Sequence, residues 1–496
     1  PTFVFYPPLV FYLGSIIKLS GLNTEQTIIV LFTLAIFLIG FSFYFYGRSR
    51  WGKIASVMGA LFYMTTPYIA FNAYLRGALP ETWSLISIPV GLWVTDKSFT
   101  QPRWRIVLAI VAAVVALTHV PSLLLFTIFW LFYVFYSPNY QSWKTIVKTI
   151  CSLFIGFGLV SFYLLPAILE KSLVNIKHMQ FEDGYKLNLI SFGIKPTTKI
   201  VNKFIQSIFI YDCLAILFFL TIIILCLKNK NKIINLIGGW LVLLTSLIFL
   251  MLSPSVFIWQ ASETLQMVQF PWRLLGLFSF GIASLSAMTV YEICNQGKSK
   301  KIIFLFIIVL ILLGNMFYSY KLSLTLSGFH NPGNIVLARE KGAWKASIYE
   351  QIKTALYDPY SNKLRGTKEY IPLLNKGEVA SAPKPEQPSV YLESGKAKIN
   401  VENWSSYQRS FQVIAEEIST IKVRTYYYPA WHLYVNDRLE AIEVDRDGII
   451  KVKLNPGTYN LKLNYQWTSA LKIGMLLSVL SLIALIFINI RPITNY

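Results

Sequence analysis

Charge is what this 496-residue chain has least of: Asp, Glu, Lys and Arg make up 14% of it, against about a quarter in an ordinary soluble domain. With 55% hydrophobic residues, that excludes a disordered chain, a fibrous repeat and a typical soluble enzyme. Acid is scarcer than base, with 24 Asp+Glu against 45 Lys+Arg. The cysteines Cys151, Cys213, Cys226 and Cys294 show no metal-ligand spacing, and none falls in the long polar stretch near the C-terminus. No disulfide framework is therefore expected there. His119, His178, His330 and His432 form no HxH or HExxH pattern, which argues against a histidine–zinc enzyme. Neither a GxxxxGK[ST] phosphate loop nor a Gly-x-Ser-x-Gly elbow occurs.

Apolar residues are what is there. Aromatics alone reach 16% and mean hydropathy is +0.52, the composition of a polytopic membrane protein. A hydrocarbon core of about 30 Å needs roughly 20 apolar residues per helix. Eleven stretches qualify: 24–46, 54–72, 81–95, 105–119, 120–136, 149–167, 207–227, 233–252, 272–291, 302–320 and 469–490. Segment 81–95 and the 105–136 run, divided near Pro121, are the shortest of wording. Every second loop is basic: Arg48, Arg50 and Lys53; Lys97, Arg103 and Arg105; Lys144 and Lys148; Lys228, Lys230 and Lys232; Lys298, Lys300 and Lys301. Those loops are expected on the cytoplasmic side. They account for much of the +21 net charge without nucleic acid.

Residues 1–23, 70–81, 168–206, 253–271 and 321–468 then face outward. Pro1 is followed by no basic n-region and apolar core, so no signal peptide is read. An outward N-terminus without one implies an upstream helix. Residues 7–18 read as an interfacial helix at the outer surface. The region 321–468 is polar, with a Pro-rich linker at 376–388. Alternating runs follow at Lys396–Val401, Ser410–Ala415, Ile421–Tyr427, Gly448–Leu454 and Thr458–Tyr465. Tyr459, Leu461, Leu463 and Tyr465 share one face. Asp447-Gly448 and Asn455-Pro456-Gly457 signal turns. A small antiparallel β-sandwich is the expectation.

Fifteen of the 24 carboxylates fall in 321–468, leaving Glu25, Glu81, Asp96, Glu170, Glu182, Asp183, Asp212, Glu263 and Glu292 in the membrane part. A charge inside a bilayer is costly and normally lines a cavity or pairs. Arg76-Gly77-Ala78-Leu79-Pro80-Glu81 places an Arg and a carboxylate at one helix junction. It reads either as a salt bridge between helix ends or as an Arg that grips phosphate with its planar fork. His119, just before Val120-Pro121, reads as a helix cap or as a substrate contact. Glu170, after Leu164-Leu165-Pro166, is equally open. In Gln269-Phe270-Pro271-Trp272-Arg273, Trp272 reads as an interfacial anchor and Arg273 as the functional cation. Asp212 reads as a helix-end polar residue, and Asn403-Trp404-Ser405 as a chance sequon.

The ordered motifs Phe5-Tyr6-Pro7-Pro8-Leu9, Tyr74-Leu75-Arg76-Gly77-Ala78-Leu79-Pro80-Glu81, Leu117-Thr118-His119, Phe162-Tyr163-Leu164-Leu165-Pro166 through Glu170, and Gln269-Phe270-Pro271-Trp272-Arg273 resemble bacterial "6-pyruvoyl-tetrahydropterin synthase-related" membrane proteins. Tyr426-Tyr427-Tyr428-Pro429-Ala430-Trp431 and Asn455-Pro456-Gly457-Thr458-Tyr459 are similar to their outer β-domain. Pterin chemistry needs a three-histidine zinc site, and no such cluster is present. The resemblance implies a mainly α, GT-C-like glycosyltransferase bundle of about 11 transmembrane helices with a C-terminal extracytoplasmic β-sandwich. It would use a polyprenyl-phosphate-linked sugar donor at the outer face of the cytoplasmic membrane, with a glycan or lipid acceptor. No cofactor is implied beyond an open place for a divalent cation. The catalytic Asp would sit in the first outer loop, ahead of Pro1, and Glu25 is a poor match for it. On this reading Arg76 and Arg273 hold phosphate, Glu81 and His119 orient the sugar or Arg76, and Glu170 joins the substrate-binding set. The β-domain tyrosines Tyr426, Tyr427, Tyr428 and Tyr434, with Trp431, serve as core or as a sugar platform. A transporter or flippase for a lipid-linked glycan and a non-catalytic envelope scaffold are the competing readings.

Overall fold

The computed structural model describes residues 2–136, 142–176, 184–192, 200–226, 230–296, 298–328, 357–358, 363–364, 370–374, 379–380 and 387–490. His178, Glu182, Asp183, Lys228, His330 and most of the Pro-rich segment 376–388 lie outside the described residues. The chain is mainly helical, with a C-terminal β-sheet region. It divides into two compact units. One comprises the described residues of Pro1–Phe5, Ser161–Met179 and Gly333–Leu477; the other those of Tyr6–Val160, Gln180–Pro332 and Ser478–Tyr496.

In the helical unit one helix, Leu275–Cys294, is buried along nearly its whole length. It carries Gly276, Ser279, Gly281, Ala283, Ser284, Ser286 and Ala287, and small side chains let neighbouring backbones approach closely. A Cβ added at Gly59 would come within 2.9 Å of the Ala283 carbonyl, and one at Gly276 within 2.7 Å of Leu85. The helices Thr24–Met64 and Ile200–Cys226 supply its main neighbours.

Thr24–Met64 begins at Asn23, whose side chain accepts from the Gln26 N–H while Gln26 reaches back to the Asn23 N–H, a reciprocal cap. Gly52, at φ 77° and ψ −178°, interrupts it. In a straight helix Gly40 and Ala60 would be about 30 Å apart. Instead a Cβ at Gly40 would lie 3.5 Å from the Ala60 carbonyl, and one at Gly47 would lie 3.0 Å from the Ser56 hydroxyl. The element is therefore a hairpin turning at Gly52, where only glycine tolerates the required φ. The expected boundary between 24–46 and 54–72 falls at this turn.

Five helical stretches among the described residues are long and apolar enough to cross a membrane: Thr24–Arg76, Lys203–Cys226, Pro271–Cys294, Lys301–Leu324 and Ser469–Ile486. A sixth forms if Trp143–Leu159 and Ser161–Leu169 are one span. Each of the eleven expected stretches contains helix; Trp104–Thr118 and Val120–Tyr136 are short, at 15 and 17 residues, while Lys230–Met251 has 22. The 105–136 run divides at His119, in extended conformation (φ −160°, ψ 112°), at the expected boundary between 105–119 and 120–136, and Pro121 fits the first turn of the following helix. Segment 81–95 is two helices, Leu79–Ser84 and Ser87–Thr100. The 149–167 run breaks at Val160. Residues Leu9–Lys18 form a separate helix, with Gly14 against Leu31.

Besides the short antiparallel pair Tyr357–Asp358 and Lys363–Leu364, the other unit holds two larger antiparallel sheets among the described residues. One runs, in spatial order, Val390–Ser394, Ser419–Tyr426, Ile449–Leu454 and Glu443–Val444; the other runs Ala397–Trp404, Gln408–Ala415, Gly457–Tyr465, Trp431–Val435 and Arg438–Glu440. Burial alternates as the sequence pattern requires: Leu461 and Leu463 are buried while Asn460 is exposed. Asn436 and Asp437, both at positive φ, make the two-residue turn joining Trp431–Val435 to Arg438–Glu440, a role Asn and Asp tolerate.

Candidate functional site

Arg76 ends a π-helical turn, Asn72–Arg76, and Gly77 follows at φ 58°. Such turns recur at functional sites. Pro80 then starts the helix Leu79–Ser84, with Glu81 in its first turn, where the helix dipole favours a carboxylate. Arg273 sits in the 3-10 turn Pro271–Leu274 that opens the buried helix. Just ahead of it Gln269 holds φ 65°, a strained conformation for a non-glycine residue.

These turns converge on one carboxylate. Arg76 Nη1 donates to Glu81 Oε2 at 2.7 Å, and Arg273 Nε donates to the same oxygen at 3.1 Å. The Tyr68 hydroxyl donates to Oε1. Arg76 Nη1 also reaches Asn72 Oδ1 at 2.7 Å, and Arg273 Nη1 reaches the Val268 carbonyl at 2.5 Å. Both guanidiniums rest on one aromatic platform. Arg76 lies 4.8 Å from the Trp272 ring centre and 5.7 Å from that of Phe270, and Arg273 lies 5.0 Å from Phe270. The two rings stack at 4.8 Å. Ring faces attract cations without neutralising them.

The charge count decides what this can do. Two cations share one anion in a nearly dry setting: the side chains of Arg76, Arg273 and Glu81 are 16%, 8% and 4% exposed. One positive charge is left over. Nη2 of each arginine makes no hydrogen bond among the described residues, and a small cavity bounded by Ser84, Ser122 and Arg273 adjoins. Planar N–H forks suit a phosphate or carboxylate. Glu81 has its lone pairs engaged by three donors, so it positions the arginines and is badly placed to accept a proton.

A second charged cluster in the same unit is balanced. Arg50 pairs with Asp96 and the Tyr133 hydroxyl, and Tyr133 donates to Asp96 at 2.6 Å. Arg50 lies over Tyr46 at 4.8 Å. One cation meets one anion here, tying the Gly52 turn to neighbouring helices.

Of the five residues expected at the site, Arg76, Glu81 and Arg273 are in direct contact. His119 belongs to the same electrostatic neighbourhood, yet its Nδ1 accepts from the Ser122 N–H at 3.3 Å and meets the Ser122 hydroxyl at 2.7 Å. That caps the helix Val120–Tyr136. Glu170 is held elsewhere: it lies in the β-sheet unit, where its carboxylate accepts from the Tyr428 hydroxyl of that same unit. Trp272, expected as an interfacial anchor, is instead fully buried at 2% exposure as the platform under Arg76. Asp212 is not at a helix end. The helix begins at Ile200, so Asp212 lies well inside it, buried, with Oδ2 unpartnered among the described residues. Tyr68 and Asn72 were not foreseen; Asn72 stands one helical turn before Arg76, which is the sequence signal for it. Among the described residues no three His, Cys, Asp or Glu side chains gather as metal ligands would.

Fold and site together define a multi-helix membrane protein with a cation-rich, aromatic-backed cluster and a separate β-sheet unit. The chain belongs to the family described as "6-pyruvoyl-tetrahydropterin synthase related domain; membrane protein", which matches residues 3–323. That stretch contains all five expected site residues and ends before the β-sheets. No curated protein and no solved structure matches the chain.

Proposed function

We propose that this protein is a GT-C-type glycosyltransferase acting on a polyprenyl-phosphate-linked sugar at the outer face of the cytoplasmic membrane, with a glycan or lipid as acceptor. About eleven transmembrane passes belong to this reading, as does the outward placement of the β-sheet unit. The carrying observation is the surplus guanidinium at Arg76, Glu81 and Arg273. Preorganised N–H donors in a dry site stabilise charge that develops on a leaving group, and a lipid phosphate is such a group. His119 and Glu81 hold the arginines' surroundings, and neither is a base for the acceptor hydroxyl. The test is turnover of radiolabelled polyprenyl-phosphate sugar in membranes. Arg76→Ala and Arg273→Ala should each lower the rate at least a hundredfold while expression persists. Undiminished turnover in both variants would end the proposal.

A second reading, transport of a lipid-linked glycan, draws on Asp212. An acid buried within the Lys203–Cys226 span is the kind of residue that carries protons or lines a path in transporters. Asp212→Asn should leave sugar transfer intact under the first reading and abolish glycan translocation in vesicles under the second.

A further inference from the structure

The β-sheet unit contains a cavity that none of the foregoing uses. It measures about 350 Å³, within the range of small-ligand sites. Four pieces of chain enclose it on three sides. Tyr427 and Tyr428 come directly after the strand Ser419–Tyr426, Asp445 and Arg446 come just before the strand Ile449–Leu454, and Leu173 and Leu373 close the third side. The two strands pair, Ile449 opposite Tyr426, so both lips hang from one rigid frame. The Tyr427 N–H donates to the Gly448 carbonyl at 2.9 Å. Tyr428 is fixed by Glu170 and stacks on Tyr465 at 6.2 Å. Gly448 stands at φ 75°, with Ala380 where a side chain would go.

Chemistry at the lips selects the occupant. The walls are aromatic and aliphatic, which suits the C–H face of a sugar ring. The rim carries a fixed acceptor, Asp445, and a donor, the Arg446 guanidinium, which has no ion-pair partner among the described residues. An apolar chain would leave both without hydration, at a cost. An anionic ligand would meet the Asp445 carboxylate at the rim, and Lys422 is already taken by Asp445 and Glu393. We infer that this cavity binds one or two residues of a neutral saccharide, the ring against Tyr427 and its hydroxyls on Asp445 and Arg446.

The inference rests on the β-sheet unit alone. Its test uses the full chain in detergent, titrated calorimetrically with maltohexaose, mannohexaose, cellohexaose and chitohexaose, and with tetragalacturonate as the acidic comparison. At least one neutral oligosaccharide should bind. Tyr427→Ala and Arg446→Ala should each weaken it tenfold or more, whereas Tyr407→Ala, exposed in the turn between Ala397–Trp404 and Gln408–Ala415 of the other sheet, should not. The double variant Arg76→Ala/Arg273→Ala should bind as the parent does, which separates this outcome from that of the transferase reading. Binding of none of the neutral probes, preference for the galacturonate, or binding indifferent to Tyr427→Ala would overturn it.

Discussion

Two arginine clusters in the helical unit are built from the same parts and differ by one charge. At the Gly52 end, Arg50 has Asp96 and Tyr133 to itself, with Tyr46 beneath it. At the other, Arg76 and Arg273 divide Glu81 between them, with Tyr68 on its second oxygen and Phe270 and Trp272 beneath. A balanced cluster has its charge met by its own protein partners and works as a clamp between helices. A cluster with a spare guanidinium is finished only by an outside anion. On the proposed function, excess charge, rather than the presence of arginine or aromatic rings, is what separates a binding site from a clamp.

The largest expected effect attacks that difference directly. Glu81→Gln keeps size and shape but leaves two buried guanidiniums facing each other, a loss on the order of 3–5 kcal/mol. Asp96→Asn leaves Arg50 with Tyr133 and a side chain that is 21% exposed, so about 1–2 kcal/mol is expected. Thermal unfolding of both variants in detergent measures the gap. Polyprenyl phosphate should raise the midpoint of the parent and of Asp96→Asn, and should recover part of the Glu81→Gln loss. Equal losses in the two variants would dissolve the distinction.

The comparison also marks how far sequence carries. Arg76 and Glu81 are five residues apart across a Gly-Ala-Leu-Pro junction, so their pairing is local and was readable. Arg273 lies 192 positions from Glu81, and nothing in a single sequence says which of several distant cations closes on it. Glu170 shows the converse, since its motif matched the family pattern while its partner is Tyr428, 258 positions away. The five alternating runs became strands because period-two burial is a local property. The strand Trp431–Val435 escaped notice behind Tyr428-Pro429-Ala430, which reads as a turn. Its Asn436-Asp437 hairpin lacks the glycine that normally announces one.

A mirror-image cluster in the β-sheet unit sharpens the point. There one cation serves two anions: Lys422 meets Glu393 at 2.6 Å and also Asp445. Burial disfavours the Lys422 charge, but its hydrogen bonds to Asp445 and Glu393 raise its pKa above the ordinary lysine value. Burial likewise opposes the Asp445 charge, and the Lys422 hydrogen bond with the Arg446 N–H holds its pKa below the usual carboxylate value. A raised base stabilises fully below its unfolded pKa, here 10.5, and loses that as pH climbs through the folded value. A lowered acid stabilises above its unfolded pKa, here 3.8, and loses that as pH falls through the folded value. Stability from this triad is therefore flat across neutral pH and declines at both extremes. Lys422→Met should cost about 1–2 kcal/mol near pH 7, discounted because Glu393 is 37% exposed. Tryptophan-monitored unfolding should show the difference from the parent narrowing below pH 4. A difference that persists at pH 3 would mean that packing of the lysine stem, rather than its charge, holds the strands.

The smallest effect tests whether aromatic backing alone marks a site. Arg409 lies between two rings, 4.2 Å from the centre of Trp404 and 4.9 Å from that of Trp431, with Nη1 buried and unpartnered among the described residues. It resembles Arg76 in its rings and differs in lacking a carboxylate. Arg409→Lys exchanges a planar, weakly hydrated cation for a compact one that cannot stack on both faces, at a cost of about 0.5–1 kcal/mol. Unfolding followed by tryptophan fluorescence includes the signal of both rings among the chain's 13 tryptophans. A small loss shows that stacking on rings contributes little to holding a guanidinium, so aromatic backing alone does not mark a site. If Arg409→Lys instead cost as much as Glu81→Gln, ring contact would dominate guanidinium energetics in both units. The Phe270–Trp272 platform would then account for Arg76 and Arg273 without any outside anion.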